Sequence, residues 1–321
     1  MTAVFGFGPL ERWLGDPDVT EVLVNAGREL WVERRPTPGS PMAGGPRFVG
    51  LVEPSVVDAV VERILAPVGR RLDRTTPIVD ARLPDGSRVS AVIPPIAVDG
   101  TCLAVRRFHG STVTLADFGP ADVAEVLTRL VGERRNVLVS GPTSAGKTTL
   151  LGALTGLADP ADRIVTLEDT AELQVRAPHV LRLETRPGNA DGLTAVGMTD
   201  LLRAALRLRP DRIVVGEIRG DEAVDLVQAL NTGHDGSLAT MHANAADDAL
   251  ARLASLVVRA APGWSLPAVR EQVHRSIDAV VHVTRDPDGR RRVTEVVDVG
   301  LDDRGRPTTW RRYGAARGGA A

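Results

Sequence analysis

Hydrophobic and polar positions change period several times along the 321-residue chain, and the changes lay out its elements. Val19–Asn25 is a short apolar run of strand length, and Glu29–Glu33 alternates as a half-buried strand does. Arg35–Pro46 is rich in Pro and Gly and reads as a loop. Arg47–Val52 returns to a strand pattern, so the loop tips a hairpin. Glu53–Pro67 carries Val56, Val57, Val60, Val61, Ile64 and Leu65 at helical spacing, with Ser55 as a candidate N-cap. Asp80–Leu83, Ser87–Ile93 and Thr101–Arg107 read as antiparallel strands, the first two joined by a turn at Pro84–Asp85–Gly86.

The pattern then changes character. Residues 108–119, with Gly110, Ser111 and Gly119, read as a linker. A helical stretch (Ala121–Gly132) leads to an apolar strand (Asn136–Ser140), a Gly-rich loop and a helix from Lys147 to Leu157. Strands follow at Arg163–Leu167, Val180–Glu184, Arg212–Val215 and Ser237–Thr240, with helical patterns at Thr199–Leu208 and Asp221–Asn231. Ile277–Val283, a turn at Asp286–Gly289 and Arg292–Val299 read as a hairpin. Apolar runs alternating with amphipathic ones predict a mostly parallel sheet with helices on both faces. The expected division is a mixed α+β domain over residues 1–107, a linker over 108–119 and an α/β domain over 120–321.

Length agrees, since about 150 residues per domain gives about two domains. Composition narrows the class. Hydrophobic residues make up 43% and charged residues 25%, ordinary for a soluble globular chain. The net charge of −2 gives no support to a general nucleic-acid binder, and no stable nucleic-acid binding is expected. With one cysteine, Cys102, no intrachain disulfide can form, which fits a reducing cytoplasm. No apolar run approaches the ~20 residues of a membrane span, and residues 1–10 do not read as a secretory signal. Of the 39 basic residues only Lys147 is a lysine. Arginine bias suits a GC-rich coding sequence. The exception marks a position where a compact ammonium is wanted and a planar guanidinium is not.

That lysine lies in a motif. Gly141-Pro142-Thr143-Ser144-Ala145-Gly146-Lys147-Thr148 matches G-x-x-x-x-G-K-[ST] between an apolar strand and a helix, and Thr149 follows. Such a loop turns sharply so that its N–H groups point at phosphate oxygens, while the helix start presents positive charge to the same phosphates. Lys147 can reach the β- and γ-phosphates and Thr148 can ligate Mg2+. Strand Ile164–Leu167 ends in Glu168-Asp169, and strand Arg212–Val215 ends in Gly216-Glu217. Carboxyl ends of parallel strands cluster beside a phosphate loop. Two acids there can serve a Mg2+ shell and polarise an attacking water. Glu217 is the leading candidate for the base and, with Thr148, for metal ligation; Glu168 is the second candidate acid. The strand before Glu217 is followed by Gly216, where an Asp is usual.

His242 ends a further strand and can hydrogen-bond a phosphate or act as a cap; His234 precedes that strand. No ligand cluster accompanies the pair, so zinc is not expected. Arg203 and Arg207 are four apart and would share a helix face; Arg219 follows Glu217 by two; Arg106 and Arg107 sit at the domain junction. Arginines in such positions can stabilise a transferring phosphoryl group or make surface ion pairs. A guanine-reading Asn-Lys-x-Asp motif cannot exist with lysine confined to position 147, which favours ATP over GTP.

The order Gly-Pro-Thr-Ser-Ala-Gly-Lys-Thr-Thr, Thr-Leu-Glu-Asp-Thr-Ala-Glu-Leu, Leu-Arg-Pro-Asp-Arg-Ile-Val-Val-Gly-Glu-Ile-Arg-Gly and Thr-Gly-His…Thr-Met-His-Ala-Asn resembles the type II/IV secretion-system ATPases. These segments are similar to that family's Walker A, aspartate box, atypical Walker B and histidine box. Residues 18–25, 30–34, 82–89 and 105–108 resemble the CpaF/TadA branch, which powers Tad-type pili. The resemblance covers about residues 8–300. It implies a RecA-like P-loop ATPase domain, a smaller PAS-like N-terminal domain and a homohexamer, with nucleotide between the two domains. It also implies ATP and Mg2+ as cofactors. Lys147 and Thr148 would serve phosphate and metal, Glu168 and Glu217 the acidic roles, and His242 the histidine-box role. Arg106 and Arg107 would face the phosphates.

The expected activity is ATP hydrolysis that rocks the N-terminal domain and drives a polytopic inner-membrane platform protein, from the cytoplasmic side of the membrane. The extra N-terminal helical region and the tetracysteine module of some relatives are expected to be absent, which favours a Tad-like or conjugation-associated member. A DNA-translocating conjugation ATPase and a non-hydrolysing nucleotide-gated scaffold are the rival readings.

Overall fold

The computed structural model describes residues 7–34, 45–83, 85–107, 113–186, 188, 194–286 and 289–314. It forms two compact units, Met1–Ser111 and Thr112–Ala321.

In the first unit α1 (Glu11–Leu14) precedes β1 (Val19–Asn25) and β2 (Glu29–Arg34). Ala26 and Gly27 both take positive φ in the three-residue connection from β1 to β2, where the Arg28 N–H donates to the Asn25 carbonyl at 3.0 Å. Next come β3 (Arg47–Leu51), α2 (Pro54–Leu65), β4 (Ile78–Arg82), β5 (Arg88–Val92) and β6 (Cys102–Arg106). The six strands form one sheet, ordered β3-β2-β1-β6-β5-β4, with antiparallel neighbours throughout. Alternate strand residues (Val22, Val24, Leu30, Val32, Val89, Leu103 and Val105) share one core with Val57, Val60, Val61 and Ile64 of α2. The helix begins differently from expectation. Glu53 is its N-cap and Pro54 opens the first turn, where the proline ring fits and the missing N–H is not needed; Ser55 lies inside. Most of the expected loop at 35–46 and the turn's Pro84 lie outside the described residues.

The second unit opens with a 3-10 turn (Leu115–Phe118) whose Phe118 is fully buried in this unit's core. The end of the stretch read as a linker is therefore packed structure, while 108–112 lie outside the described residues. The chain continues through α3 (Ala121–Gly132), β7 (Val137–Gly141), α4 (Lys147–Thr155), β8 (Ile164–Glu168), β9 (Val180–Glu184), α5 (Met198–Ala205) and β10 (Arg212–Val215). It ends with α6 (Glu222–Leu230), β11 (Leu238–His242), α7 (Ala246–Ala260), α8 (Leu266–Ser276), β12 (Ala279–Arg285), β13 (Arg291–Leu301) and β14 (Pro307–Tyr313). The eight strands are ordered β14-β13-β12-β7-β11-β10-β8-β9. Pairing is parallel from β12 to β9, and the β12-β13-β14 end is antiparallel.

Both faces of this sheet are covered, as parallel sheets require. Val137 and Val139 of β7 pack with Leu127 of α3 and with Leu150, Leu151 and Leu154 of α4. Leu138 points the other way, toward Leu202, Leu226, Leu253 and Val273 of α5 to α8. A phosphate loop between such a strand and helix is fixed from below by two layers of core. Helices α7 and α8 and strand β14 are elements that the hydrophobic pattern did not single out.

Candidate active site

The loop leaves β7 at Gly141, whose φ is +156°; a Cβ there would stand 2.2 Å from the carbonyl oxygen of Val283 on β12. Glycine is thus demanded by a neighbouring backbone, which cannot yield. Ser144 and Gly146 also take positive φ, and the chain enters α4 at Lys147. Pro142, Thr143, Ser144 and Ala145 form the turn, with the Ala145 N–H reaching the Pro142 carbonyl at 3.4 Å. Thr148 and Thr149 lie in the first turn of α4, at the end where a helix carries partial positive charge.

Register places the other candidates. β11 lies beside β7 with His242 opposite Gly141, and β8 lies beside β10 with Leu167 opposite Val215. The carboxyl ends of four parallel strands therefore stand in one row. From that row a chain of polar contacts runs. The Lys147 ammonium donates to the carbonyls of Gly141 (3.1 Å) and Pro142 (3.0 Å) and meets Nδ1 of His242 at 3.2 Å. His242 Nε2 lies 3.0 Å from one oxygen of Glu217. Arg219 holds the other oxygen at 2.6 Å and reaches Asp169 at 3.6 Å.

The protonation pattern follows from these contacts. Burial lowers the pKa of Lys147, and Glu217 opposes the shift. The His242 pKa is also lowered, first by burial and then by the Lys147 charge, with Glu217 again opposing. An ammonium can only donate, so Nδ1 of a neutral His242 accepts, and its proton sits on Nε2 facing Glu217. The group reads Lys147 cation, neutral imidazole, Glu217 carboxylate, Arg219 cation.

Glu168, at the end of β8, is buried and turned elsewhere. Its Oε1 accepts the N–H groups of Glu172 and Leu173 at 2.8 Å each, and Arg182 stands 3.9 Å from Oε2. Burial raises its pKa against those two amide bonds. Its Oε2 is buried and makes no hydrogen bond among the described residues. The side chain leans on Gly216, where a Cβ would come within 2.9 Å of the Glu168 Cγ. That contact explains the glycine in the place of the usual Asp: Glu168 fills the space a side chain at 216 would need.

The remaining candidates belong to other segments of the chain. Arg203 on α5 pairs with Asp225 of α6 at 3.2 Å. Helix α5 stops at Ala205, and Arg207 falls in the turn that follows, its N–H donating to the Ala204 carbonyl at 3.0 Å. His234 meets the Ala229 carbonyl at 3.0 Å, closing the end of α6. Arg106 ends β6 in the first unit, and Arg107 donates to the Asp16 carbonyl there. Arg291, which sequence reasoning did not single out, lies against the loop: a Cβ on Gly146 would meet its Cδ at 2.5 Å, and its Nη1 donates to the Thr149 hydroxyl at 3.1 Å. In a chain so rich in arginine, and with the partners 142 positions apart, no local pattern distinguishes it.

The family whose model matches this sequence is described as "Type II/IV secretion system protein", and the match spans residues 4–318. The chain belongs to this family. A putative conjugal transfer protein of Mycobacterium tuberculosis is 40% identical to this secretion-system protein over 92% of the chain and 85% of its own length. The conjugal transfer protein TrbB of Rhizobium radiobacter is 34% identical, over 89% and 85%. The type IV secretion system protein PtlH of Bordetella pertussis is also 34% identical, over 91% and 94%. Among solved structures, the VirB11 ATPase from the Brucella suis type IV secretion system is 28% identical, with a TM-score of 0.50 over 90% of this chain and 91% of that one. The pilus retraction motor PilT with bound ADP shares the fold, with a TM-score of 0.66 at 20% identity over 89% and 82% of the two chains. Membership of this family makes the protein a secretion-system ATPase. No helix among the described residues is long and apolar enough to cross a membrane.

Proposed function

We propose that this chain is the ATP-hydrolysing motor of a membrane-embedded pilus-assembly or secretion machine, working as a homohexamer on the cytoplasmic face of the inner membrane. The observation that carries the reading is the contact chain from Lys147 through His242 to Glu217 and Arg219 at the mouth of the loop. Lys147, the loop N–H groups and the start of α4 bind the β- and γ-phosphates. Glu217 accepts a proton from the attacking water, or orients that water, while His242 and Arg219 hold its carboxylate in place. Glu168 stands behind Gly216 as the second acid. Its buried Oε2, which makes no hydrogen bond among the described residues and has Arg182 at 3.9 Å, gives it a separate means of accepting a proton.

The donor set suits Mg2+. A Thr148 hydroxyl and a Glu217 carboxylate are hard oxygens, and Mg2+ takes few protein ligands beside phosphate oxygens and water. Among the described residues no cluster of three or more His, Cys, Asp or Glu could hold a metal alone. When bound, Mg2+ would neutralise charge on the phosphates. Arg106, Arg107, Arg203 and Arg207 are candidates to reach the nucleotide of a neighbouring subunit in a ring. Mechanical work would pass to a polytopic platform protein in the inner membrane, as in a Tad-type pilus.

A second reading, DNA transfer in conjugation, is favoured by the names of two relatives, the Mycobacterium and Rhizobium proteins. Titration with double-stranded DNA at two salt concentrations separates the readings. A DNA motor shows ATP turnover stimulated by DNA with steep salt dependence, whereas a pilus or protein-secretion motor shows no stimulation.

A further inference from the structure

Strand β7, which carries the phosphate loop, has different neighbours on its two sides. On one side β11 and β10 bring His242 and Glu217 to the Lys147 end. On the other side β12 and β13 bring arginines. Arg285 and Arg291 face each other directly across the β12–β13 pair. Like charges in that position repel, and neither forms an ion pair with a described residue. The Arg285 guanidinium is turned to the Gly289 carbonyl at 3.0 Å. The Arg291 stem lies on the Gly146 backbone, and its guanidinium spends one N–H on Thr149, leaving the rest of its donors at the edge of the loop. Asp117 is the acid that faces it, and that carboxylate already accepts from the Thr114 hydroxyl and N–H.

We infer that Arg291 is a nucleotide-positioning residue that holds the base-proximal phosphate shared by ATP and ADP, with Arg285 adding to the local positive field. Lys147, His242 and Glu217 serve the γ end from the opposite flank of the same loop. A planar fork suits this task, since it can keep Thr149 and still present two donors to a phosphate oxygen. This rests on the nucleotide-site reading above. It assigns to the β12–β13 hairpin, distant in sequence from every loop residue, a share of the affinity for both nucleotides.

The test is calorimetric titration of full-length protein with ATP and with ADP, in a Glu217→Gln background so that ATP persists, comparing Arg291, Arg291→Gln and Arg291→Lys. The expected result is loss of affinity by about tenfold or more, equal for ATP and ADP, in Arg291→Gln, with a smaller equal loss in Arg291→Lys. Affinities within about twofold of the parent for the folded variants would overturn the inference, as would a loss confined to ATP, which would put the guanidinium at the γ-phosphate. If Arg291→Gln does not fold, Arg291→Lys decides by the same criteria. Lys147→Ala run beside them separates the two failures. If the parent binds neither nucleotide, the nucleotide-site reading falls. If the parent binds and Lys147→Ala does not, while the Arg291 variants match the parent, only the arginine inference falls.

Discussion

At the scale of single residues, the ammonium of Lys147 has three acceptors arranged around it: two loop carbonyls and Nδ1 of His242. A tetrahedral head with three N–H groups satisfies all of them, and a planar guanidinium on a longer stem cannot. Lys147→Ala should lower ATP turnover by about a hundredfold or more, and Lys147→Arg should fail to restore it. Steady-state phosphate release checks this, and turnover near wild type in either variant contradicts it. The same contact gives His242 a measurable signature. Burial and the Lys147 charge hold its pKa below the ordinary value of about 6.5. An NMR titration of the His242 ring should therefore show a midpoint on the acid side of that value. Because Lys147 lowers it, Lys147→Ala should move the midpoint upward.

Elements decide where these residues meet. Gly141 and Gly216 are fixed by neighbours on other strands, the Val283 carbonyl and the Glu168 side chain. Gly141→Ala should cost about 3 kcal/mol or more in urea unfolding, because a backbone oxygen cannot step aside as a flexible side chain can. Glu168 is a second test. Its Oε1 is the acceptor for two N–H groups after β8, so Glu168→Ala leaves both donors unpaired and should destabilise by about 2–4 kcal/mol. Glu168→Gln keeps that oxygen and should destabilise less; equal losses would show that the amide contacts contribute nothing.

Much of this level was legible in the sequence. The strand and helix order around residues 136–157, the three strand-end residues Glu168, Glu217 and His242, and the hairpins of the first unit follow from period and turn residues. What was not legible depends on which way side chains turn and on distant partners. The sequence puts Arg219 two residues after Glu217, and Glu172 and Leu173 just after Glu168, without saying that these groups meet. Helix α5 stops at Ala205, two residues before Arg207, and Arg203 turns to Asp225 on α6. Arg291 reaches the loop only because β12 pairs with β7 and brings β13 in as the next strand over.

At the scale of the whole chain, each unit has its own apolar core. The residues clustered in the first unit run from Leu10 to Val105, and those of the second from Phe118 to Val299, with none in common. A fragment spanning 112–321 should therefore unfold in one cooperative transition by circular dichroism and still bind nucleotide. A fragment lacking a cooperative transition would show that its core depends on the first unit. Turnover is a different matter, because the proposed ring supplies arginines to the nucleotide from neighbouring subunits.

The proposed ring motor, with Glu217 serving the attacking water, is checked by Mg2+-dependent ATP hydrolysis on size-separated wild-type and Glu217→Gln protein, with the mass measured for each fraction. Turnover is expected only in a six-fold assembly, and about a hundredfold or more lower in the variant, which still assembles and binds ATP. Full turnover by a monomer, unchanged in Glu217→Gln, would contradict both the assembly and the role of Glu217.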